Sequence, residues 1–205
     1  MGKVRLLPVF LSLLLLIGTL SKSFPVIDEV SHFPAGVSHW RFETFDLYRV
    51  NPPLPRLIAT LPSAIANVHF DWRGYTDRRT TRSEFVIGRA KLEECKLSLQ
   101  PLFITPRLAS VSFFLISVFF LYRLLRNAIP AEGCKHYAVI LFCFCPNVLT
   151  AYATILPDAA AVTAVIFSRF FFFVYFHWPT LKKSLFFGDF ICGFLAAQIT
   201  WLFFV

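Results

Sequence analysis

Charge is what this sequence has least of. Of its 205 residues only 16% are Asp, Glu, Lys or Arg, while 57% are hydrophobic and 18% aromatic; mean hydropathy is +0.64. A soluble domain carries about 25% charged residues and has nowhere to hide so much apolar surface. That excludes a water-soluble globular protein and leaves an integral membrane protein. Several chemistries lack their motifs as well. No G-x-x-x-x-G-K-[ST], G-x-S-x-G, H-E-x-x-H or Rossmann glycine set occurs, so nucleotide-driven and common hydrolytic reactions find no support. The five cysteines (Cys95, Cys134, Cys143, Cys145, Cys192) lack zinc-site spacing, and they read as small buried hydrophobes. No internal repeat of the transporter kind is present.

Acidic residues are the scarcer sign, 12 against 20 basic, for a formal net charge of +8. In a soluble chain that excess would suggest nucleic acid. Here the basic residues lie between apolar runs, where the positive-inside rule and anionic headgroups account for them. No nucleic-acid partner is expected; the lipid bilayer is.

What is present is a series of apolar runs, and they predict an all-α fold: a polytopic transmembrane helical bundle forming one domain over 1–205. Predicted spans lie near 6–23, 107–124, 137–156, 158–178 and 186–205. The first is short for a crossing, since about 20 residues are needed, and with Lys3 and Arg5 ahead of it also fits a signal peptide. An uncleaved helix is the preferred reading, because no clean cleavage site follows. Residues 24–106 read as an amphipathic first outer loop with interfacial helices, one near 57–70 interrupted by Pro62 and another within the charged stretch 71–96. Lys3 and Arg5 put the N-terminus in the cytoplasm, and Arg123, Arg126, Lys135, Lys182 and Lys183 then fall on that same side of a plasma or inner membrane.

This topology puts Asp28, Glu29 and Asp158 on the outer face. Two adjacent carboxylates just past a first span are not needed for anchoring. One suits a general base, and the other a group that orients substrate or holds a divalent metal, the one cofactor these carboxylates would call for. His32 lies one helical turn beyond Asp28 and is a candidate phosphate or metal ligand. Asp158 follows Pro157 at a helix start, where capping is its plainer role. Arg41, Arg49 and Arg56 surround the turn Asn51-Pro52-Pro53-Leu54, and Arg forks match phosphate oxygens.

Taken in order, Asp28-Glu29-Val30-Ser31-His32-Phe33-Pro34-Ala35-Gly36, Asn51-Pro52-Pro53-Leu54, Pro146-Asn147 and Leu156-Pro157-Asp158 resemble the GT-C membrane glycosyltransferases. The likeness is greatest to the branch of protein O-mannosyltransferases and lipid-A aminoarabinose transferases, and covers that family's N-terminal part, so an incomplete module is expected. The resemblance implies sugar transfer from a polyprenyl-phosphate donor to an acceptor, whose identity stays open, on the outer or lumenal face. It assigns catalysis to Asp28, Glu29 and Asp158, which are also the metal ligands if a metal is used. Read from the residues themselves, the substrate-binding candidates are His32, Arg41, Arg49 and Asn51. Asn51 stands where a basic residue is usual, and Gln198 where Lys is common. The alternative is a non-catalytic membrane protein derived from the same fold.

Overall fold

The structure is a computed structural model and describes residues 6–72, 82–95 and 99–177. All regular structure in them is helical: α1 (Leu6–Lys22), α2 (Ile27–Phe42), α3 (Pro53–Ile65), α4 (Ser83–Cys95), α5 (Leu99–Ala128), α6 (Glu132–Phe144), α7 (Pro146–Tyr152) and α8 (Pro157–His177). Two stretches, Pro101–Ala128 in α5 and Pro157–Tyr175 in α8, are long and apolar enough to cross a membrane. The pairs α1–α2 and α6–α7 qualify only as bent units, turned by 89° and 57°, so the described residues hold two to four candidate crossings. The fifth predicted span, 186–205, lies outside the described residues.

The breaks follow from proline. The predicted span 137–156 is not one helix: Cys145 is extended at φ −66°, ψ 121°, and Pro146 opens α7. A residue before proline is pushed out of the helical region, whereas proline itself fits the first helical position. Pro25 separates α1 from α2 in the same way, and Pro157 starts α8. In α3 the first turn contains Pro53 and Pro55, whose missing N–H groups would be unpaired there anyway. The helix therefore begins ahead of the predicted 57–70 and runs through Pro62 to end at Ile65.

The segment between α1 and α5 is more than a loop with surface helices. Phe33, Ala35, Val37, Leu47, Ala59, Phe70, Ile87 and Phe103 form a packed core between α2, α3, α4 and the start of α5. Ile155, from the turn before α8, completes it. A second core of Leu16, Leu20, Phe114, Val118, Val139, Cys143, Tyr152, Ala153 and Ala159 joins α1, α5, α6, α7 and α8. α5 is common to both. Away from that core α1 exposes Leu6, Leu7, Phe10, Leu11, Leu14, Leu15 and Ile17, an apolar face suited to lipid.

Small residues set the outer layer's spacing. A Cβ on Gly88 would lie 1.9 Å from the Val30 carbonyl oxygen, so α4 meets α2 backbone to backbone. That carbonyl is the one Pro34, four residues on, cannot hydrogen-bond. Gly36 faces Thr60 on α3 less tightly: a Cβ there would lie 2.5 Å from the Thr60 side chain.

Candidate functional site

The acidic pair divides its labour. Glu29 is fully buried, and each of its oxygens accepts two hydrogen bonds. Oε1 takes Arg107 Nε at 2.8 Å and the Ile155 N–H at 2.9 Å. Oε2 takes Arg107 Nη2 at 2.5 Å and the Val26 N–H at 3.0 Å. A carboxylate offers about four lone-pair sites, so none is left for a substrate or a metal. Glu29 also satisfies the first turn of α2, where Val26 brings no side-chain oxygen. Arg107 is equally buried, and donates further to the carbonyls of Leu20 (2.9 Å), Ser23 (3.0 Å) and Phe24 (3.3 Å), the open C-terminal end of α1. One guanidinium thus ties the end of α1, the start of α2 and, through Glu29, the turn before α8.

Asp28 is exposed at the head of α2, and Asp158 is exposed in the first turn of α8. The Glu29–Ile155 hydrogen bond brings these two helix starts to the same end of the molecule, 126 residues apart in sequence. Asp28, Glu29 and Asp158 do not form a metal set: among the described residues no group of three His, Cys, Asp or Glu side chains is placed to hold a metal ion.

The predicted substrate residues separate into inner and outer. Arg49 turns outward to Asp46 at 2.6 Å, an exposed pair, and Arg41 is exposed near the Phe42 and Trp72 rings. His32 and Asn51 instead face a buried polar cluster around Arg56. The Arg56 guanidinium donates to the carbonyls of Tyr48 (2.8 Å) and Asn51 and lies over the Tyr48 ring, while Asn51 Nδ2 donates to the Tyr48 hydroxyl at 3.2 Å. Tyr48 sits at φ 58°, an uncommon backbone for an aromatic residue. The His32 ring meets the Tyr48 ring edge-on at 4.6 Å. From α4 Glu84 pairs with Arg82 at 2.5 Å, and Arg82 covers Tyr48 and Phe85.

α2 carries Asp28, Glu29, His32, His39 and Arg41 and is turned by 89° from α1. Burial, reinforced by the Arg56 charge, lowers His32 to about 3 and His39 to about 4. Both are neutral at pH 7. His39 Nδ1 lies 2.9 Å from the Thr44 carbonyl, which can only accept, so Nδ1 carries the proton and Nε2 a bare lone pair. Burial also lowers Arg56, to about 10, against the pull of Tyr48 and Glu84; it remains a cation. His32 Nδ1, His39 Nε2 and Arg56 Nε are all buried without a hydrogen-bond partner. No carboxylate pairs with Arg56 among the described residues. A buried cation with unspent donor and acceptor atoms around it suits an anionic, hydroxyl-bearing group.

No protein-family model matches the chain, and neither does any curated protein or solved structure.

Sequence reasoning missed Arg107 and undervalued Arg56. Arg107 stands at the edge of an apolar run, where an arginine ordinarily marks the headgroup region. Arg56 differs from its neighbour Arg49 only in position: it sits on the inward face of α3 with Ala59, Thr60 and Ser63. That periodicity was the available signal.

Proposed function

We propose that this chain is a membrane glycosyltransferase module that moves a sugar from a polyprenyl-phosphate donor to an acceptor at the outer or lumenal face. The observation that carries the reading is the Glu29–Ile155 hydrogen bond, which joins the heads of α2 and α8 and leaves Asp28 and Asp158 exposed at one end of the bundle. Asp28 is the general base that takes the proton of an acceptor hydroxyl or amine, Asp158 orients the acceptor, and the acceptor atom bonds to the sugar's anomeric carbon in one step as the bond from that carbon to the lipid phosphate breaks and the phosphate leaves. Glu29 has no free oxygen and takes no chemical step. The buried cation Arg56, with His32, His39 and Asn51 beside it, is the candidate holder of the donor's phosphate and sugar hydroxyls.

The membrane topology belongs to the same proposal. α1, α5, the α6–α7 pair and α8 cross the bilayer with the N-terminus in the cytoplasm, and α2, α3 and α4 cap the outer face. The rival reading, a non-catalytic protein of the same fold, is favoured by one observation: half of the acidic pair is committed to Arg107. Sugar transfer from a polyprenyl-phosphate donor by the full chain in vesicles separates the two. Loss of a general base costs about 10²–10⁴ in rate, so Asp28→Asn should lower transfer by at least about 100-fold. Transfer retained in Asp28→Asn removes Asp28 from the mechanism, and a folded wild type that transfers nothing supports the rival.

A further inference from the structure

We propose that Glu29 and Arg107 are a positioning pair that fixes Asp28, at the head of α2, relative to Asp158, at the head of α8. What the two aspartates do rests on the glycosyltransferase reading; how they are held rests on the geometry alone.

The pair sits where four parts of the chain meet. Arg107 projects from α5, the helix common to both cores, and binds the last carbonyls of α1 and both oxygens of Glu29. Glu29 passes the link on to the Ile155 N–H, three residues before Asp158. Asp28 is the residue before Glu29, so its bearing around the α2 axis follows from that of Glu29, about 100° away. Stability is a poor reason for such an arrangement. Two ions removed from water gain little or nothing over apolar side chains of equal volume. What apolar side chains lack is direction: a planar fork with both prongs on one carboxylate admits a single register, and here it sets the register of α2 against α5 and of the turn before α8 against α2. The other titratable groups on the elements that meet here, Lys22, Asp28 and Asp158, are exposed. Without the pair the same cores still pack, Ile155 against α2 included, but the directional link between the two helix starts is gone.

The test uses the full chain in nanodiscs, with native cysteines replaced by alanine and spin labels at Asp28→Cys and Asp158→Cys. The otherwise unaltered chain should give one narrow label-to-label distance. Glu29→Gln/Arg107→Met removes both charges together, so neither is left buried alone, and should keep its helical circular dichroism while the distance distribution broadens. Glu29→Asp, which keeps the charge but shortens the reach, should broaden it too and covers the case in which the double variant fails to fold. Unlabelled Arg107→Lys should lower kcat for sugar transfer roughly 100-fold, the scale of ångström misplacement, with donor KM unchanged. A folded double variant, or Glu29→Asp, with the narrow distance intact overturns the positioning role. An Arg107→Lys that raises donor KM and spares kcat overturns it as well. A wild type without transfer overturns the glycosyltransferase reading instead, and the distances then decide the pair by themselves.

Discussion

The four hydrogen bonds that fill Glu29 separate two residues that are neighbours in sequence: Asp28 keeps its carboxylate in water, and Glu29 surrenders its own to Arg107, Val26 and Ile155. The acidic pair was legible as a feature of the chain; which member stays free was not, because the answer comes from a residue 78 positions away. The histidines carry a prediction at this scale. In the unfolded chain both titrate near 6.5, while in the fold His32 is held at about 3 and His39 at about 4. Between those values the unfolded state binds protons that the folded state refuses, so stability is full above pH 6.5 and falls as pH drops from 6.5 toward 4. Each imidazole adds at most about 1.4 kcal/mol per pH unit in that window. Denaturant unfolding in detergent at pH 7.5 and 5 checks this: His39→Gln should flatten the decline, and an unchanged slope would show that other groups cause it.

Among the elements, the expected crossings 107–124 and 158–178 fall on α5 and α8, whereas the expected span 137–156 ran through the break at Pro146. Proline marks the ends of α1, α6 and the start of α8 by its own steric rule, wherever the helices go next. The closeness of α4 to α2 is different, since Gly88 looks like any glycine in a charged stretch until Val30 is found against it. Gly88→Ala gains up to about 1 kcal/mol of helix propensity and meets a backbone oxygen that cannot yield. Overpacking costs about 1–3 kcal/mol, so a net loss of stability is expected. Gly133→Ala is the control: nothing lies within 4 Å of its Cβ, and only the propensity gain should appear. Thermal unfolding of both variants against wild type decides it; equal midpoints for the two would mean that α4 does not press on α2.

For the whole molecule, composition and the apolar runs were enough to foresee an all-helical chain with helices able to cross a membrane, while the packing of the segment between α1 and α5 was underestimated. Its core includes Phe33, Phe70, Phe103 and Ile155, drawn from four places in the chain. No local pattern announces that such residues will meet. The proposed topology puts positions 28 and 158 in one aqueous compartment, opposite the N-terminus. Single cysteines at those positions in sealed vesicles should react with a membrane-impermeant maleimide from the same side. Reaction from opposite sides would end the proposed topology and the reaction built on it.

The sequence by itself determined the all-helical class of the protein and the apolar runs that became α5 and α8, because hydropathy acts within a few residues of where it is read. Tertiary structure alone decided that Arg107 neutralises Glu29, that Arg56 is the buried arginine among its neighbours, and that α2 and α8 begin side by side. Burial and long-range pairing depend on which distant segments come into contact, and a charge's role is set by the partner it finds there.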